Sequence, residues 1–127
     1  MKTMAKRVLI VDDSNVLRNI IVFNLKKNGY EIKEANDGLE GLEFMESFQP
    51  DLVILDLMMP RLDGFGVLKE MQGKEGFQGI PVIVLTAKGG EDDRDNAISL
   101  GAMDVLTKPF SPKQLLERVQ KVIGDAG

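Results

Sequence analysis

The chain has 127 residues, of which 43% are hydrophobic and 28% are charged, and these are ordinary values for one globular domain. Cysteine and histidine are both absent. Their absence excludes disulfides, thiolate zinc sites, cysteine nucleophiles, histidine-ligated metals and a Ser-His-Asp triad. A bound metal must be held by oxygen, which favours magnesium, calcium or manganese. The formal net charge of −4 argues against nucleic-acid binding through a basic surface.

The ends and the connections of the chain lack targeting or linker signals. The start has no long apolar run of the secretory type, and no later run approaches the roughly 18 residues of a membrane span. We therefore expect a cytoplasmic chain without membrane association. Since no repeat or linker divides it, we also expect a single domain over residues 1–127, with a core from about 6 to 123 and no output domain.

Short apolar runs alternate with longer segments of helical period, which predicts parallel βαβ units in an α/β domain. Three of the five runs are continuous Val/Ile/Leu segments, as expected for central strands that are covered on both faces. The predicted strands are Arg7–Val11, Glu31–Ala35, Leu52–Leu55, Pro81–Leu85 and Asp104–Thr107.

The first two predicted helices have apolar residues at helical spacing. In the first helix these residues are Leu17, Ile20, Ile21 and Leu25. Gly29 is its predicted C-cap. Asp37 and Glu40 predict a capping box for the second helix. The inward residues of that helix are expected to be Leu39, Leu42 and Met45.

The remaining three helices follow the third, fourth and fifth strands. Asp63 is expected to cap the third, with Leu68 and Met71 facing inward. The fourth, from about Glu91 to Leu100, has few core candidates and is predicted to be the most weakly anchored. These candidates are Ala97, Ile98 and Leu100. The fifth starts at Ser111-Pro112 and is expected to bury Leu115, Leu116, Val119 and Ile123.

Polar residues stand at the ends of four of the predicted strands. They are Asp12, Asp13, Asp56, Thr86 and Lys108. If the strands lie in the order 2-1-3-4-5, the topological switch point falls between strands one and three, where the three carboxylates would converge. Such a cluster persists at neutral pH only if a cation or protons compensate its charge, and magnesium is the simplest choice. Together with a lysine and a hydroxyl, the cluster indicates phosphoryl transfer to a carboxylate.

These segments together resemble the receiver domain of response regulators, the CheY-like fold of two-component signalling. The resemblance covers about Lys6 to Ile123. Its motifs are Val8-Leu9-Ile10-Val11-Asp12-Asp13, Leu55-Asp56-Leu57-Met58-Met59-Pro60 with Asp63-Gly64, Leu85-Thr86-Ala87, and Gly101-Ala102 followed by Lys108-Pro109-Phe110. It implies a three-layer flavodoxin-like (βα)5 fold, a doubly wound parallel sheet with strand order 2-1-3-4-5.

The resemblance also implies roles for single residues. Asp56 matches the phosphoacceptor, Thr86 the switch hydroxyl, and Lys108 the lysine that pairs with the phosphoryl group. The Lys108-Pro109 bond is expected to be cis.

The expected cofactor is Mg²⁺, with Mn²⁺ as an alternative. Asp13 and Asp56 match its direct ligands, and the backbone carbonyl of Met58 matches the remaining protein ligand. Asp12 matches a partner that acts mostly through metal-bound water.

Simpler structural interpretations remain open at this stage. Asp12 and Asp13 taken alone could cap the helix that follows them. Thr86 or Lys108 taken alone would be a solvated loop residue, and Met58-Met59 would be packing. Asp56 fits a purely structural role less well, because it ends an apolar strand.

One position departs from the family pattern. The family commonly carries Tyr or Phe three residues before the lysine, and this chain has Val105. A β-branched aliphatic side chain cannot swing as an aromatic ring does. We therefore expect switching to depend on the loop after Thr86, made mobile by Gly89-Gly90, and on the fourth helix.

The resemblance implies a response regulator that takes a phosphoryl group from a sensor histidine kinase or a histidine phosphotransfer protein, or from a small acyl phosphate. The surface near strands four and five and helices four and five would then bind an unidentified target protein. No nucleic acid or membrane partner is expected, and the unphosphorylated chain is expected to be a monomer. We do not expect an enzyme, beyond slow autodephosphorylation.

Three alternatives differ in class. An aspartyl phosphatase of the haloacid dehalogenase type needs a second Asp two residues after the nucleophile, and that position is Met58. A flavodoxin-like cofactor binder is disfavoured, because Asp12 and Asp13 would repel a cofactor phosphate. A degenerate receiver would serve only as a protein-interaction module.

Overall fold

A computed structural model describes residues 5–87 and 90–127. Five parallel strands form one sheet in the order β2-β1-β3-β4-β5, which confirms the expected doubly wound topology. The strands are β1 (Arg7–Val11), β2 (Glu31–Ala35), β3 (Leu52–Asp56), β4 (Val82–Thr86) and β5 (Asp104–Thr107). Asp56 and Thr86 are therefore the last residues of their strands, whereas both were predicted to lie one residue beyond the strand ends.

Five α-helices connect and follow the strands. They are α1 (Asn15–Lys27), α2 (Gly38–Phe48), α3 (Gly64–Gly73), α4 (Glu91–Ser99) and α5 (Pro112–Ile123). A 3-10 turn over Glu75–Phe77, which was not predicted, leads into β4. Within residues 5–87 and 90–127, no helix is long and apolar enough to cross a bilayer.

Two separate cores lie on the two faces of the sheet, because consecutive strand residues point to opposite faces. Leu9, Val53 and Val84 pack with residues of α2, α3 and α4. Ile54 and Ile83 face the other way and pack with residues of α1 and α5. The three-layer arrangement that the family resemblance implies is therefore confirmed.

Three residues predicted to be buried are exposed. Ile20 in α1 is 48% exposed, Leu39 in α2 is 52% exposed, and Ile98 in α4 is 45% exposed. Each lies at the margin of its helix's apolar stripe, where a rotation of the helix by a fraction of a turn carries the side chain from the sheet to solvent. The central positions of the stripes, such as Leu25 and Leu68, are buried as predicted.

The helix ends use partly different caps from those predicted. Asn28 is the C-cap of α1, and Gly29 follows it with a φ of 93°. Asp37 caps α2 as predicted by accepting a hydrogen bond from the N–H of Glu40. The capping box is incomplete, however, because the Glu40 carboxylate accepts from the N–H of Asn36 instead. Asp63 caps α3 as predicted.

The fourth helix has the weak anchoring that its composition predicted. Ala97 is its buried residue, and its first turn carries Glu91, Asp92 and Asp93. Leu100 is only partly buried against the core. Gly90 precedes the helix, whereas Gly89, the other glycine predicted to give this loop freedom, lies outside the described residues.

Candidate functional site

The pairing of β1 with β3 brings the acidic residues together. Val11 pairs with Leu55, so Asp12 and Asp56 follow side by side at the carboxyl edge of the sheet. Carboxylate oxygens of Asp12, Asp13 and Asp56 all lie within 4.8 Å of one another. Asp12 and Asp56 are buried, and Asp13 is exposed. The predicted convergence of three carboxylates is therefore present.

Asp12 does not cap α1. The N-cap is Ser14, whose hydroxyl accepts a hydrogen bond from the N–H of Leu17. One Asp12 oxygen, Oδ1, accepts from the N–H of Ser14 at 2.9 Å. The other, Oδ2, is fully buried and has no hydrogen-bond partner among residues 5–87 and 90–127. Such an orphan acceptor is costly unless a ligand satisfies it.

Burial raises the pKa of Asp12, and the nearby charge of Asp56 raises it further. The hydrogen bond from Ser14 and the positive charge of Lys108 act in the opposite direction. The raised pKa shows that the pocket disfavours another negative charge and favours a proton or a cation beside Asp12.

Asp56 is 4% exposed and has a partner on each carboxylate oxygen. Oδ1 accepts from the N–H of Met58 at 3.3 Å, and Oδ2 lies 3.3 Å from Nζ of Lys108. The ammonium group reaches Asp56 from the end of β5, because β4 and β5 pair in register beside β3. A buried carboxylate beside a lysine is suited to receive an anionic group that the lysine stabilises.

Thr86 ends β4 next to this pair and is also buried. Its carbonyl accepts from the N–H of Lys108 at 2.7 Å, which joins the hydroxyl-bearing residue to the lysine through the backbone. A Cβ on Gly90 would lie 3.3 Å from the Thr86 hydroxyl oxygen. Gly90, which directly precedes α4, therefore packs close to this hydroxyl.

The donor set fits a hard divalent cation. It consists of carboxylate oxygens from Asp12, Asp13 and Asp56, and one buried oxygen of Asp12 has no hydrogen-bond partner in the part of the chain that the structure describes. Oxygen ligands of this type are those that Mg²⁺ and Mn²⁺ take in proteins. The cluster can therefore hold a metal ion.

Three further expectations concern residues around the site. The Lys108-Pro109 peptide bond is cis, as expected. Met58 is 69% exposed, so its predicted packing role is wrong, whereas Met59 packs partly against the core. Val105, at the position where the family commonly carries Tyr or Phe, is buried at 3% exposure.

The family model described as response regulator receiver domain matches residues 8–120. The chain belongs to the response regulator receiver family. The receiver is 39% identical over 120 residues to the alkaline phosphatase synthesis transcriptional regulatory protein PhoP of Bacillus subtilis. That match covers 94% of this chain and 49% of the relative. The chain thus spans about half the length of the curated relatives it matches.

Solved structures give the same assignment. The chemotaxis response regulator CheY4 of Vibrio cholerae has a TM-score of 0.88 and 34% identity, with 95% of the receiver and 100% of that chain covered. The receiver domain of the sensor histidine kinase PA1611 from Pseudomonas aeruginosa has a TM-score of 0.86 and 30% identity, with 95% and 99% covered. That structure is described with a magnesium ion coordinated in its active site cleft.

One charged residue beside the site was not among the residues predicted from the sequence. Arg18 is only 8% exposed and donates from Nη1 to the backbone carbonyl of Asp12 at 2.5 Å. Its spacing in the sequence could have identified it, because Arg18 lies at helical spacing from Ile21 and Leu25 and shares their buried face of α1. A charged residue on the apolar stripe of a helix needs a specific set of partners.

Proposed function

We propose that this receiver accepts a phosphoryl group on Asp56 from a phosphohistidine of a sensor histidine kinase or a histidine phosphotransfer protein. The observation that carries the proposal is the buried Asp56 carboxylate, which has Lys108 at 3.3 Å and two further carboxylates beside it. The receiver family of two-component response regulators, to which the chain belongs, supports the same reaction. A small acyl phosphate would serve as an alternative donor.

The chemical step is a displacement at phosphorus. A carboxylate oxygen of Asp56 attacks the phosphorus atom, the P–N bond of the donor breaks, and an acyl phosphate forms. The departing imidazole nitrogen keeps the electron pair of that bond and takes up a proton. Burial of Asp56 keeps bulk water away from the reacting carboxylate.

We assign the metal to Asp12, Asp13, Asp56 and the backbone carbonyl of Met58, with Mg²⁺ as the ion and Mn²⁺ as a substitute. The magnesium described in the cleft of the Pseudomonas receiver domain supports this assignment. The orphan oxygen of Asp12 supports it independently. When bound, the ion would neutralise charge that develops on the transferred group.

Two residues respond to the new dianion. The Lys108 ammonium group leaves the Asp56 carboxylate and pairs with the phosphoryl oxygens, because after phosphorylation these oxygens carry the larger negative charge. The Thr86 hydroxyl donates to the same group and draws the loop before α4 toward the site. This shift changes the surface formed by α4, β5 and α5, which binds the target protein.

The residue two positions after Asp56 supports a signalling role over hydrolysis. An aspartyl phosphatase needs a second carboxylate there as general acid and base, and this chain has Met58. We therefore propose a phosphoprotein that signals by protein contact, with no turnover of substrate. The organisation of residues 1–127 as one receiver domain, the cytoplasmic location and the monomeric unphosphorylated state are further parts of this proposal.

The test is the intact mass after incubation with acetyl phosphate and Mg²⁺. We expect one added phosphoryl group on the unchanged chain and none on Asp56→Asn or in a magnesium-free sample. Asp51→Asn is the matched control, because Asp51 is an exposed aspartate beside the opposite end of β3. Labelling of Asp56→Asn at the wild-type level would refute the assignment.

A further inference from the structure

Arg18 is a buried charged residue that the proposed chemistry does not use. It is 8% exposed and lies on the face of α1 that carries Ile21 and Leu25. A guanidinium group at such a position is tolerated only when its donors are satisfied. Its partners therefore show what the residue holds in place.

The donors of Arg18 reach three separate parts of the fold. Nη1 donates to the backbone carbonyl of Asp12 at 2.5 Å, and Nη2 donates to Oδ1 of Asn15 at 2.5 Å. Nε donates to Oε1 of Glu34 in β2 at 2.9 Å. The planar guanidinium thus joins the end of β1, the first turn of α1 and the neighbouring strand β2.

The contact with the Asp12 carbonyl bears directly on the acidic site. Asp12 is followed by Asp13 and by Ser14, whose N–H binds the Asp12 carboxylate. A restrained Asp12 backbone therefore fixes the direction in which two of the three clustered carboxylates project. Removing a group that hydrogen-bonds to a metal ligand and so orients it typically lowers metal affinity by about 10- to 100-fold.

We propose that Arg18 is a positioning residue that holds Asp12 and Asp13 in the arrangement that binds the divalent cation. This inference rests on the proposed function. Electrostatics alone predicts the opposite effect, because a positive charge near the site repels a cation. The direction of the change in affinity therefore separates a positioning role from a purely electrostatic one.

The experiment is a magnesium titration of the full chain. Binding is monitored through the NMR chemical shifts of the backbone amides of Asp13 and Asp56. In Arg18→Met we expect the dissociation constant for Mg²⁺ to rise by about tenfold or more. Arg18→Lys keeps the charge but loses the planar fork, so we expect a smaller rise in the same direction. The lysine variant also preserves the test if Arg18→Met does not fold.

Arg7→Met is the matched control. Arg7 lies at the opposite end of β1, donates from Nη1 to the backbone carbonyl of Phe48 at 2.9 Å, and pairs with Glu31 of β2 at 3.7 Å. It therefore has the same kind of partners as Arg18 and gives the same change in net charge. We expect Arg7→Met to lower the unfolding temperature while magnesium affinity stays within about twofold.

The outcomes separate this inference from the proposed function. Weaker magnesium binding in both Arg18 variants, with wild-type affinity in Arg7→Met, supports the positioning role. Unchanged or tighter binding in a folded Arg18 variant overturns it and leaves the proposed function intact. Absence of magnesium binding and of acetyl phosphate labelling in the unchanged chain overturns the proposed function itself, and this inference with it.

Discussion

Nζ of Lys108 lies 3.3 Å from Oδ2 of Asp56, although β4 lies between β3, which ends at Asp56, and β5, which Lys108 directly follows. The lysine side chain spans that intervening strand at the carboxyl edge of the sheet. Asp56 is almost fully buried, whereas the Lys108 side chain is 32% exposed. The ion pair therefore joins the enclosed part of the site to its solvent-facing side.

We expect Lys108→Met to slow phosphorylation of Asp56 by acetyl phosphate at least about tenfold, because one preorganised charged donor is lost. The measurement is the initial rate of labelling at saturating Mg²⁺. Lys113→Met is the control, since Lys113 is an exposed lysine in the first turn of α5. A wild-type rate in Lys108→Met would show that the ion pair has no part in the transfer.

We expect Asp12→Asn to stabilise the metal-free protein at pH 7. The change removes one charge from a crowded buried pocket and leaves an oxygen that can still accept from Ser14. The gain in the free energy of unfolding should be on the order of 1–3 kcal/mol. It is measured by urea unfolding with and without Mg²⁺.

The same variant should lose most of the stabilisation that Mg²⁺ confers on the wild-type chain, because one carboxylate of the cluster is gone. Asp63→Asn serves as a control, since Asn caps α3 as well as Asp does. Equal stabilisation of Asp12→Asn and the wild type by Mg²⁺ would contradict the proposed ligand set.

The raised pKa of Asp12 predicts the sign of a pH effect. The folded chain binds a proton at Asp12 more tightly than the unfolded chain does, so the stability contributed by this group falls as pH rises. The fall begins near the ordinary pKa of aspartate, about 3.9, and ends above the raised value. The advantage of Asp12→Asn over the wild type should therefore grow between about pH 4 and pH 7.

Unfolding free energies of both chains, measured without Mg²⁺ at several pH values, check this expectation. The comparison removes the contributions of carboxylates that are distant from Asp12, because these are common to both chains. A difference that shrinks with rising pH would show that the folded protein favours the charged form of Asp12.

We expect Thr86→Ala to separate phosphoryl acceptance from the conformational response. Asp56 keeps its own contacts in this variant, so it should still bind beryllofluoride as a phosphoryl mimic. Binding of the mimic should change the amide chemical shifts of α4 much less than it does in the wild type, because the hydroxyl that draws in the preceding loop is missing. Two-dimensional NMR spectra provide the measurement.

Thr107→Ala is the control for this comparison, because Thr107 pairs with Thr86 in register but is exposed. Wild-type shift changes in Thr86→Ala would contradict the switch role of the hydroxyl. Unchanged amide shifts from Gly90 to Leu100 in the wild type on mimic binding would contradict the proposed response of α4 as a whole.

Much of the fold and of the site followed from local patterns in the sequence. The continuous apolar runs predicted central strands, because parallel strands are covered on both faces. Placement of Asp12, Asp56 and Lys108 at strand ends predicted that they share one edge, since parallel strands all end at that edge. Strand ends were uncertain by one residue, because hydrogen bonding continues to Asp56 and Thr86.

Other properties depended on how the elements pack. Ile20 and Leu39 are exposed because of how each helix is rotated about its own axis against the sheet. The spacing of apolar residues predicts that rotation only to within a fraction of a turn. The cap at Ser14 was missed because two aspartates precede it and fit the same role.

The α/β class, the strand order and the residue types available for the site were all predictable before the fold was known, the strand order through the family motifs. Without histidine or cysteine, any metal site had to be built from oxygen ligands. Two features became visible only in the folded chain: Oδ2 of Asp12 is buried with no hydrogen-bond partner among the described residues, and Arg18 donates to the Asp12 carbonyl. Both depend on contacts between segments that lie on different elements, and the spacing of residues along one element carries no information about such contacts.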